Sequence, residues 1–263
     1  MDLGLRGKVA VVCGASAGMG KATAMSLGRE GVRLALCARG APALEKAAEE
    51  IRSTTGAEVL VHPADVTDEE AIGRFLEAAS AKLGAADILV NNAGGPPAGT
   101  FEETPPEAWD RAHRLTLQSA VSFCRRLAPA MKSRGWGRIV SITSLTVKQP
   151  AESLILSNAY RSALTAVSKT LAADLAPFGV TVNCVCPGYT DTERLGELAA
   201  ALAETRKISE AEVRRDWEKS IPAGRLGRSE EIADLITFLA SDRAGYITGA
   251  SILVDGGLVR AMI

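Results

Sequence analysis

The chain has 263 residues, a mass of 27.5 kDa and 47% apolar residues, which is enough for one α/β domain over residues 1–263 and excludes a disordered chain. Its 30 basic residues nearly balance its 31 acidic residues, so no net field favours nucleic acid or an anionic membrane as a partner. Neither a secretory signal nor a membrane span is recognisable, and we therefore expect a cytoplasmic protein that acts on a small molecule.

Short β-branched runs alternate with amphipathic helical stretches along the whole chain. The predicted strands cover residues 8–13, 33–38, 58–63, 87–91, 137–142, 181–186 and 251–254. The predicted helices cover residues 18–30, 42–54, 68–83, 105–134, 157–177 and 229–241. This alternation predicts an α/β fold with a doubly wound sheet of seven mostly parallel strands, flanked by helices on both faces.

Two irregular inserts interrupt this pattern, at residues 94–106 and 189–227. The second insert mixes apolar residues with many charges and is predicted to be a helical lid or substrate loop, since such folds place substrate loops after strand ends. The same apolar residues would also serve simply to seat the insert on the rest of the protein.

The cysteines are odd in number and lie among apolar neighbours, at Cys13, Cys37, Cys124, Cys184 and Cys186. This distribution predicts reduced, buried thiols and argues against a disulfide framework. The only imidazoles are His62 and His113, and no second cysteine pair is present, so we expect no metal site.

The first predicted strand runs directly into a glycine-rich loop and then a helix. The loop contains Gly14, Ser16, Ala17, Gly18, Met19 and Gly20. Glycines let the chain turn sharply and bring backbone amides close to a pyrophosphate at the helix N-terminus. A tight strand-to-helix turn would use the same glycines, so the loop alone does not establish a phosphate site.

Further motifs follow the later strands. Asp65-Val66 follows the third strand, Asn91-Asn92-Ala93-Gly94 ends the fourth, and Pro187-Gly188 follows the sixth. With these motifs in this order, the chain resembles the short-chain dehydrogenase/reductase family from about Leu5 to Arg260. The resemblance implies a Rossmann-type fold, a bound nicotinamide dinucleotide and a homo-oligomer, either a tetramer or a dimer.

The resemblance also implies where the dinucleotide would lie. Its phosphates would contact Ser16, Gly18, Met19 and Gly20, its adenine Asp65 and Val66, its ribose Asn91, Ala93 and Gly94, and its carboxamide Pro187, Gly188, Thr190 and Thr192.

The end of the second strand distinguishes the two nicotinamide dinucleotides. A carboxylate there would bind the ribose diol and repel a 2′-phosphate, but this strand ends in Arg39, whose guanidinium can bind a phosphate. NADP(H) is therefore favoured over NAD(H). Ala17 stands where the family's other NADP marker, a basic residue, would be, and Arg39 would also be an ordinary solvated residue if no phosphate binds there.

The family's catalytic residues are an Asn, a Ser, a Tyr and a Lys. Spacing from the flanking motifs places these four positions on Thr116, Ser144, Ser157 and Arg161, so Ser144 alone matches. A serine hydroxyl is a far weaker acid than a phenol, and an arginine stays protonated and cannot relay protons as a lysine can. Arg161 could still hold the cofactor ribose and supply positive potential.

Two neighbouring residues could replace the missing proton donor. Tyr160 lies about one turn after Ser157 on nearly the same helix face, although packing is its more common role. Lys148 lies four residues past Ser144, where a partly desolvated amine could act as an acid, a base or a nucleophile, although a surface lysine is the commoner finding.

Three hypotheses for the function follow. The favoured one is an NADP(H)-dependent oxidoreductase that acts on a carbonyl or alcohol with a non-standard proton donor. The second is a non-redox lyase or isomerase that stabilises an enolate with Lys148 or Arg161. The third is a non-catalytic, cofactor-binding subunit, because one scaffold can host several functions.

Overall fold

A single seven-stranded sheet organises the computed structural model, which describes residues 1–262. Its strands are β1 (Val9–Cys13), β2 (Arg33–Ala38), β3 (Val59–Pro63), β4 (Ile88–Asn91), β5 (Gly137–Ile142), β6 (Val180–Pro187) and β7 (Ser251–Val254). They lie in the order β3-β2-β1-β4-β5-β6-β7, and every neighbouring pair is parallel. The prediction of a mostly parallel sheet is confirmed, and the sheet is in fact wholly parallel.

Helices cover both faces of this sheet. They are α1 (Gly18–Arg29), α2 (Ala41–Thr55), α3 (Glu69–Leu83), α4 (Pro106–Ala112), α5 (Ser119–Arg134), α6 (Ile155–Leu175), α7 (Glu193–Arg206), α8 (Glu210–Ser220) and α9 (Ser229–Leu239). Short 3₁₀ turns lie at Leu145–Val147, Ala176–Phe178 and Asp242–Ala244.

Side-chain alternation along β1 divides the core into two layers. Ala10 and Val12 face one layer, with α1, α2 and α9, whereas Val9 and Val11 face the other, with α3, α5 and α6. Both faces of β1 are fully buried, as expected for a parallel sheet that carries helices on both sides. This arrangement is the doubly wound fold that the sequence predicts.

The predicted helix over residues 105–134 is wrong in one respect, because it is not continuous. A six-residue π-helical segment, His113–Gln118, separates α4 from α5. Thr116 is buried in this segment and its hydroxyl has no hydrogen-bond partner in the described structure. The wider turn changes the helix phase at the place where α5 meets the candidate site, and such bulges are common at functional sites.

The insert after β6 contains α7 and α8, and we call it the lid after its predicted role. Thr190 and Gly227 form a parallel bridge that closes its base, and Asp191 N donates to the Gly227 carbonyl over 2.8 Å. The lid has its own apolar cluster, in which the rings of Tyr189 and Trp217 stack with centroids 4.9 Å apart. The predicted helical insert is therefore confirmed, and its apolar residues largely hold its two helices together.

No helix in residues 1–262 is long and apolar enough to cross a membrane. The five cysteine thiols are all buried and free, as predicted.

Candidate active site

The candidate site lies at the carboxyl ends of the strands, where the chain order reverses. β1 neighbours both β2 and β4, so the loops after β1 and β4 diverge and leave a crevice, the usual ligand site in open α/β sheets. The cleft there and the open solvent at its mouth together occupy ≈ 780 Å³. Its walls include Met19, Ser144, Ser157, Arg161, Pro187, Gly188, Thr190 and Thr192 from the predicted set.

The glycine-rich loop has the geometry of a phosphate cradle. Gly14 has φ +60° and Gly18 has φ +52°, values that favour glycine, and a Cβ on Gly20 would collide with the Gly14 carbonyl oxygen. The N-cap Ala17 supplies no side-chain acceptor and the first turn of α1 carries no acid, so the first amides of α1 remain available. The loop residues therefore fit an anionic group at the N-terminus of α1.

Neighbouring segments extend this cradle. The methyl group of Thr192 would lie 3.3 Å from a Cβ on Gly18, so the start of the lid faces the loop. Asn92 donates its side-chain amide to the Gly14 carbonyl over 3.3 Å. Sequence reasoning missed this role for Asn92, although its position directly after Asn91 at the end of β4 was a usable signal.

The predicted adenine and ribose residues surround the same crevice. Asp65 is exposed, and its carboxylate accepts from the amide and hydroxyl of Thr67 over 2.9 and 2.8 Å. Val66, Asn91 and Ala93 line a smaller inner cavity next to the cleft, whereas Gly94 lies exposed at the start of the loop after β4.

Arg39 follows β2 and points to solvent beside the start of α2. Its side chain forms no ion pair in residues 1–262. Gly40, the N-cap of α2 and the residue after Arg39, contributes no side-chain acceptor, so no side chain caps the first amides of that helix. A free guanidinium beside a helix N-terminus suits a phosphate.

Ser144 from the loop after β5 and Ser157 from the first turn of α6 both line the cleft. Ser144 Oγ accepts from the Thr146 amide over 3.2 Å, which leaves its hydroxyl proton free to donate into the cleft. Ser157 forms no side-chain hydrogen bond to any residue that the structure describes. Both hydroxyls can therefore donate to a ligand oxygen.

Arg161 lies one turn further along α6 and points into the same cleft. Its Nη1 donates to the Ile142 carbonyl over 2.9 Å. No acidic side chain pairs with it within residues 1–262, and burial, reinforced by the positive charge of Arg194, lowers its pKa to about 10. Arg161 is still protonated at neutral pH, so it brings an uncompensated positive charge to the site.

A smaller inner cavity adjoins Arg161. Thr116 from the π-helical segment and Asn91 from β4 line it with Arg161. The Asn91 amide donates to Ser141 Oγ over 3.3 Å, but the Asn91 Oδ1 and Thr116 Oγ1 atoms have no partner among the described residues. The structure thus brings three predicted positions of the family's site together.

Tyr160 and Lys148, the two proposed replacements for the missing proton donor, do not line the cleft. Tyr160 packs between Trp109 and His113, with ring centroids 6.0 and 5.7 Å away. Lys148 ends the 3₁₀ turn after β5, where its amide donates to the Leu145 carbonyl over 2.9 Å. Of the five predicted catalytic residues, Ser144, Ser157 and Arg161 are the ones that the structure gathers.

Arg194, in the first turn of α7, also lines the cleft and was missed by sequence reasoning. Its Nη2 donates to the Pro96 carbonyl over 2.6 Å, which joins the lid to the loop after β4. Its position in the sequence was a usable signal. Arg194 lies two residues after Thr192, a predicted cofactor contact, and it stands in the first turn of a helix, where basic residues are disfavoured.

Comparison with known proteins identifies the family. The family model described as Enoyl-(Acyl carrier protein) reductase matches residues 14–259. D-beta-hydroxybutyrate dehydrogenase of Rhizobium meliloti (strain 1021) is 36% identical over 254 residues, which cover 95% of this chain and 98% of that protein. The chain belongs to the short-chain dehydrogenase/reductase family.

Solved structures agree with this assignment. L-sorbose reductase from Gluconobacter frateurii, complexed with NADPH and L-sorbose, superposes with a TM-score of 0.94 and 34% identity over 100% of both chains. A short-chain type dehydrogenase/reductase from Mycobacterium marinum superposes with a TM-score of 0.89 and 31% identity over 99% of this chain and 98% of that one. These relatives are dehydrogenases and reductases, so the enzyme class that the comparisons support is an oxidoreductase.

Proposed function

We propose that this short-chain dehydrogenase/reductase is an NADP(H)-dependent oxidoreductase that interconverts a carbonyl and an alcohol with a non-standard proton donor. The observation that carries the proposal is that one cleft is lined by the three polar residues Ser144, Ser157 and Arg161 and by Met19 of the glycine-rich loop at the start of α1. A nicotinamide cofactor would supply or accept the hydride there.

Arg39 supports NADP(H) as the cofactor. Its guanidinium and the first amides of α2 offer donors for a 2′-phosphate, and no acid stands at the end of β2 to repel one. The structure of the related L-sorbose reductase is a complex with NADPH, which supports the same choice. Ala17 stands where the family's other NADP marker, a basic residue, would be, so Arg39 has to provide the preference for NADP(H) over NAD(H).

The polar residues of the cleft support chemistry on a carbonyl oxygen. The hydroxyl protons of Ser144 and Ser157 can donate to that oxygen, and the charge of Arg161 stabilises negative charge that develops on it during reduction. None of these groups has a pKa near neutrality in its ordinary form, so we propose that the proton reaches the oxygen from solvent through the Ser144 or Ser157 hydroxyl.

Calorimetric titration with NADPH and NADH tests the cofactor, using the wild type and Arg39→Ala. We expect micromolar binding of NADPH, weaker binding of NADH, and an NADPH affinity that falls about tenfold or more in the variant, because a charge-assisted hydrogen bond contributes roughly 1.5–3 kcal/mol. Arg33→Ala is the matched control, since Arg33 lies at the opposite end of β2 and contacts the Gly7 carbonyl.

The absorbance of NADPH with a panel of ketones and aldehydes tests hydride transfer. Consumption of NADPH that falls strongly in Ser144→Ala would support the proposal. Tight NADPH binding without consumption across the panel would contradict it and favour a non-redox or non-catalytic role for the same site.

A further inference from the structure

We propose that the cleft binds the carboxylate of its carbonyl substrate between Arg161 and Arg194, so that the enzyme acts on short oxo acids or hydroxy acids. This inference rests on the proposed function and names its substrate class. The two arginines come from separate elements, α6 in the body and α7 in the lid, and both line the cleft.

The positive charge of the cleft favours an anionic ligand. Arg161 and Arg194 are its only charged lining residues, and no Asp or Glu is present among the lining side chains of residues 1–262. The exposed Glu197 pairs with Arg194 over 2.9 Å but lies outside the cleft. Two cations that face one cleft repel each other, and a bound anion would relieve that repulsion.

The guanidinium groups retain donors that protein atoms do not use. A guanidinium has five N–H donors; Arg161 gives one to Ile142, and Arg194 gives one to Pro96 and one to Glu197. Arg161 also has a lowered pKa, caused first by burial and then by the charge of Arg194. Planar forks with unused donors fit a carboxylate better than a neutral oxygen.

A buried hydroxyl and a helix end favour the same ligand. Thr146 is 3% exposed, lines the cleft, and its Oγ1 has no hydrogen-bond partner in the described structure. The amides of Glu193 and Arg194 at the start of α7 also have no helical acceptor, which places the positive end of a 14-residue helix at the cleft.

The rest of the lining sets the size and polarity of the substrate. Leu145, Leu154, Leu195 and Leu198 cover the remaining wall with apolar surface. Ser144, Ser157 and Arg161 line the same cleft, so the serines would bind the carbonyl oxygen while Arg161 contacts both that oxygen and the carboxylate that Arg194 also holds. An oxo acid with a short apolar chain combines these features.

Binding to the protein–NADP⁺ complex tests the proposal without turnover, because NADP⁺ cannot reduce a ketone. Acetoacetate and methyl acetoacetate are the matched probes, since they share the ketone and differ in the negative charge. Calorimetry on the wild type should show acetoacetate binding about tenfold or more tightly than its methyl ester.

Variants distinguish binding of the carboxylate by the Arg194 guanidinium from a general effect of positive charge on the lid. Arg194→Gln should reduce the preference for acetoacetate to about threefold or less, and Arg194→Lys should keep part of it because it retains the charge without the fork. Arg215→Gln is the matched control: it removes the same charge from an exposed position of the lid outside the cleft and should keep the wild-type preference.

Two results would overturn the inference: equal affinity of the wild type for the acid and the ester, or a full preference for the acid in Arg194→Gln. A separate NADP⁺ titration without substrate detects failure of the proposed cofactor. If NADP⁺ does not bind but acetoacetate still binds in an Arg194-dependent way, the anion site stands and the proposed function is wrong.

Discussion

Arg161 gives the site its electrostatic character at the scale of single residues. At the position that sequence spacing predicts for the family's lysine, this chain has Arg161, a cation that donates to one carbonyl and has no acidic partner within residues 1–262. Folding lowers its pKa below the ordinary value of arginine, to about 10, so the folded state is penalised for this charge at every pH below about 10. The penalty disappears only as the pH rises from about 10 to the ordinary pKa of an arginine.

Replacing Arg161 should therefore stabilise the ligand-free protein while it impairs function. We expect Arg161→Met to raise the free energy of unfolding at pH 7 by roughly 1–3 kcal/mol, because it removes a half-buried, unpaired charge and keeps most of the apolar stem. Thermal unfolding followed by circular dichroism measures the change. Arg161→Lys keeps the charge and serves as the control, and a lower melting temperature in Arg161→Met than in the wild type would contradict the argument.

Sequence spacing brings Ser144, Ser157 and Arg161 to one region because they follow a strand end or a helix start. Ser144, Ser157 and Arg161 meet in the cleft since parallel strands bring their carboxyl ends to one edge. Arg194 escaped prediction because its role depends on how the lid folds back over Pro96, a contact between residues 98 positions apart. Spacing along one element carries no information on such a contact.

At the scale of elements, the π-helical segment shows the same limit. The apolar pattern over residues 105–134 fits one long helix, and no glycine in that stretch marks the break between α4 and α5. The π-helical segment contacts α6, and α5 packs on β4 and β5, so we attribute the extra residue per turn to tertiary packing. The sequence pattern therefore predicts that these residues are helical, whereas tertiary packing determines where the π-helical segment interrupts the helix.

Glu231 fastens the end of the lid to α9. Its carboxylate accepts two hydrogen bonds from the Arg225 guanidinium, over 2.6 and 2.9 Å, and one from the Arg228 amide over 2.8 Å. Arg225 above all, and then the Arg228 amide, lower the pKa of Glu231 from 4.5 to about 2. A depressed carboxyl pKa stabilises the folded state above pH 4.5, and that contribution is lost as the pH falls from 4.5 towards 2.

Replacing Glu231 should therefore lower the stability of the protein at neutral pH but have little effect at acidic pH. We expect Glu231→Gln to cost about 1 kcal/mol at pH 7, which lowers the melting temperature by roughly 2–4 °C, because an exposed ion pair is screened by solvent. The difference from the wild type should shrink as the pH falls below 4.5. Glu230→Gln, one position earlier and without an ion pair in the described structure, should melt like the wild type throughout, and a pH-independent gap for Glu231→Gln would count against this role.

At the scale of the whole molecule, the candidate site and a set of stabilising hydrogen bonds lie at opposite ends of the sheet. The cleft occupies the carboxyl ends of the strands, whereas a buried arginine joins distant segments at the amino ends. Arg138 is 4% exposed and donates to the Ser241 carbonyl over 3.1 Å and to the Gly137 and Gly179 carbonyls over 2.9 and 3.3 Å. Its guanidinium also lies 4.3 Å from the ring centroid of Trp136.

Removal of Arg138 should therefore destabilise the fold without changing ligand affinity. Arg138→Ala leaves buried carbonyl oxygens without donors and opens a cavity, so we expect a loss of roughly 2–4 kcal/mol and a melting temperature lower by about 5–15 °C. The affinity for NADPH, measured by calorimetry well below the melting transition, should match the wild type because the site is at the other end of the strands. Arg134→Ala removes a more exposed ion pair, in which the Arg134 guanidinium lies 3.4 Å from the Asp87 carboxylate, and should lower the free energy of unfolding by about 1 kcal/mol or less. A large change in NADPH affinity in Arg138→Ala would show that the two ends of the sheet are coupled, contrary to this separation.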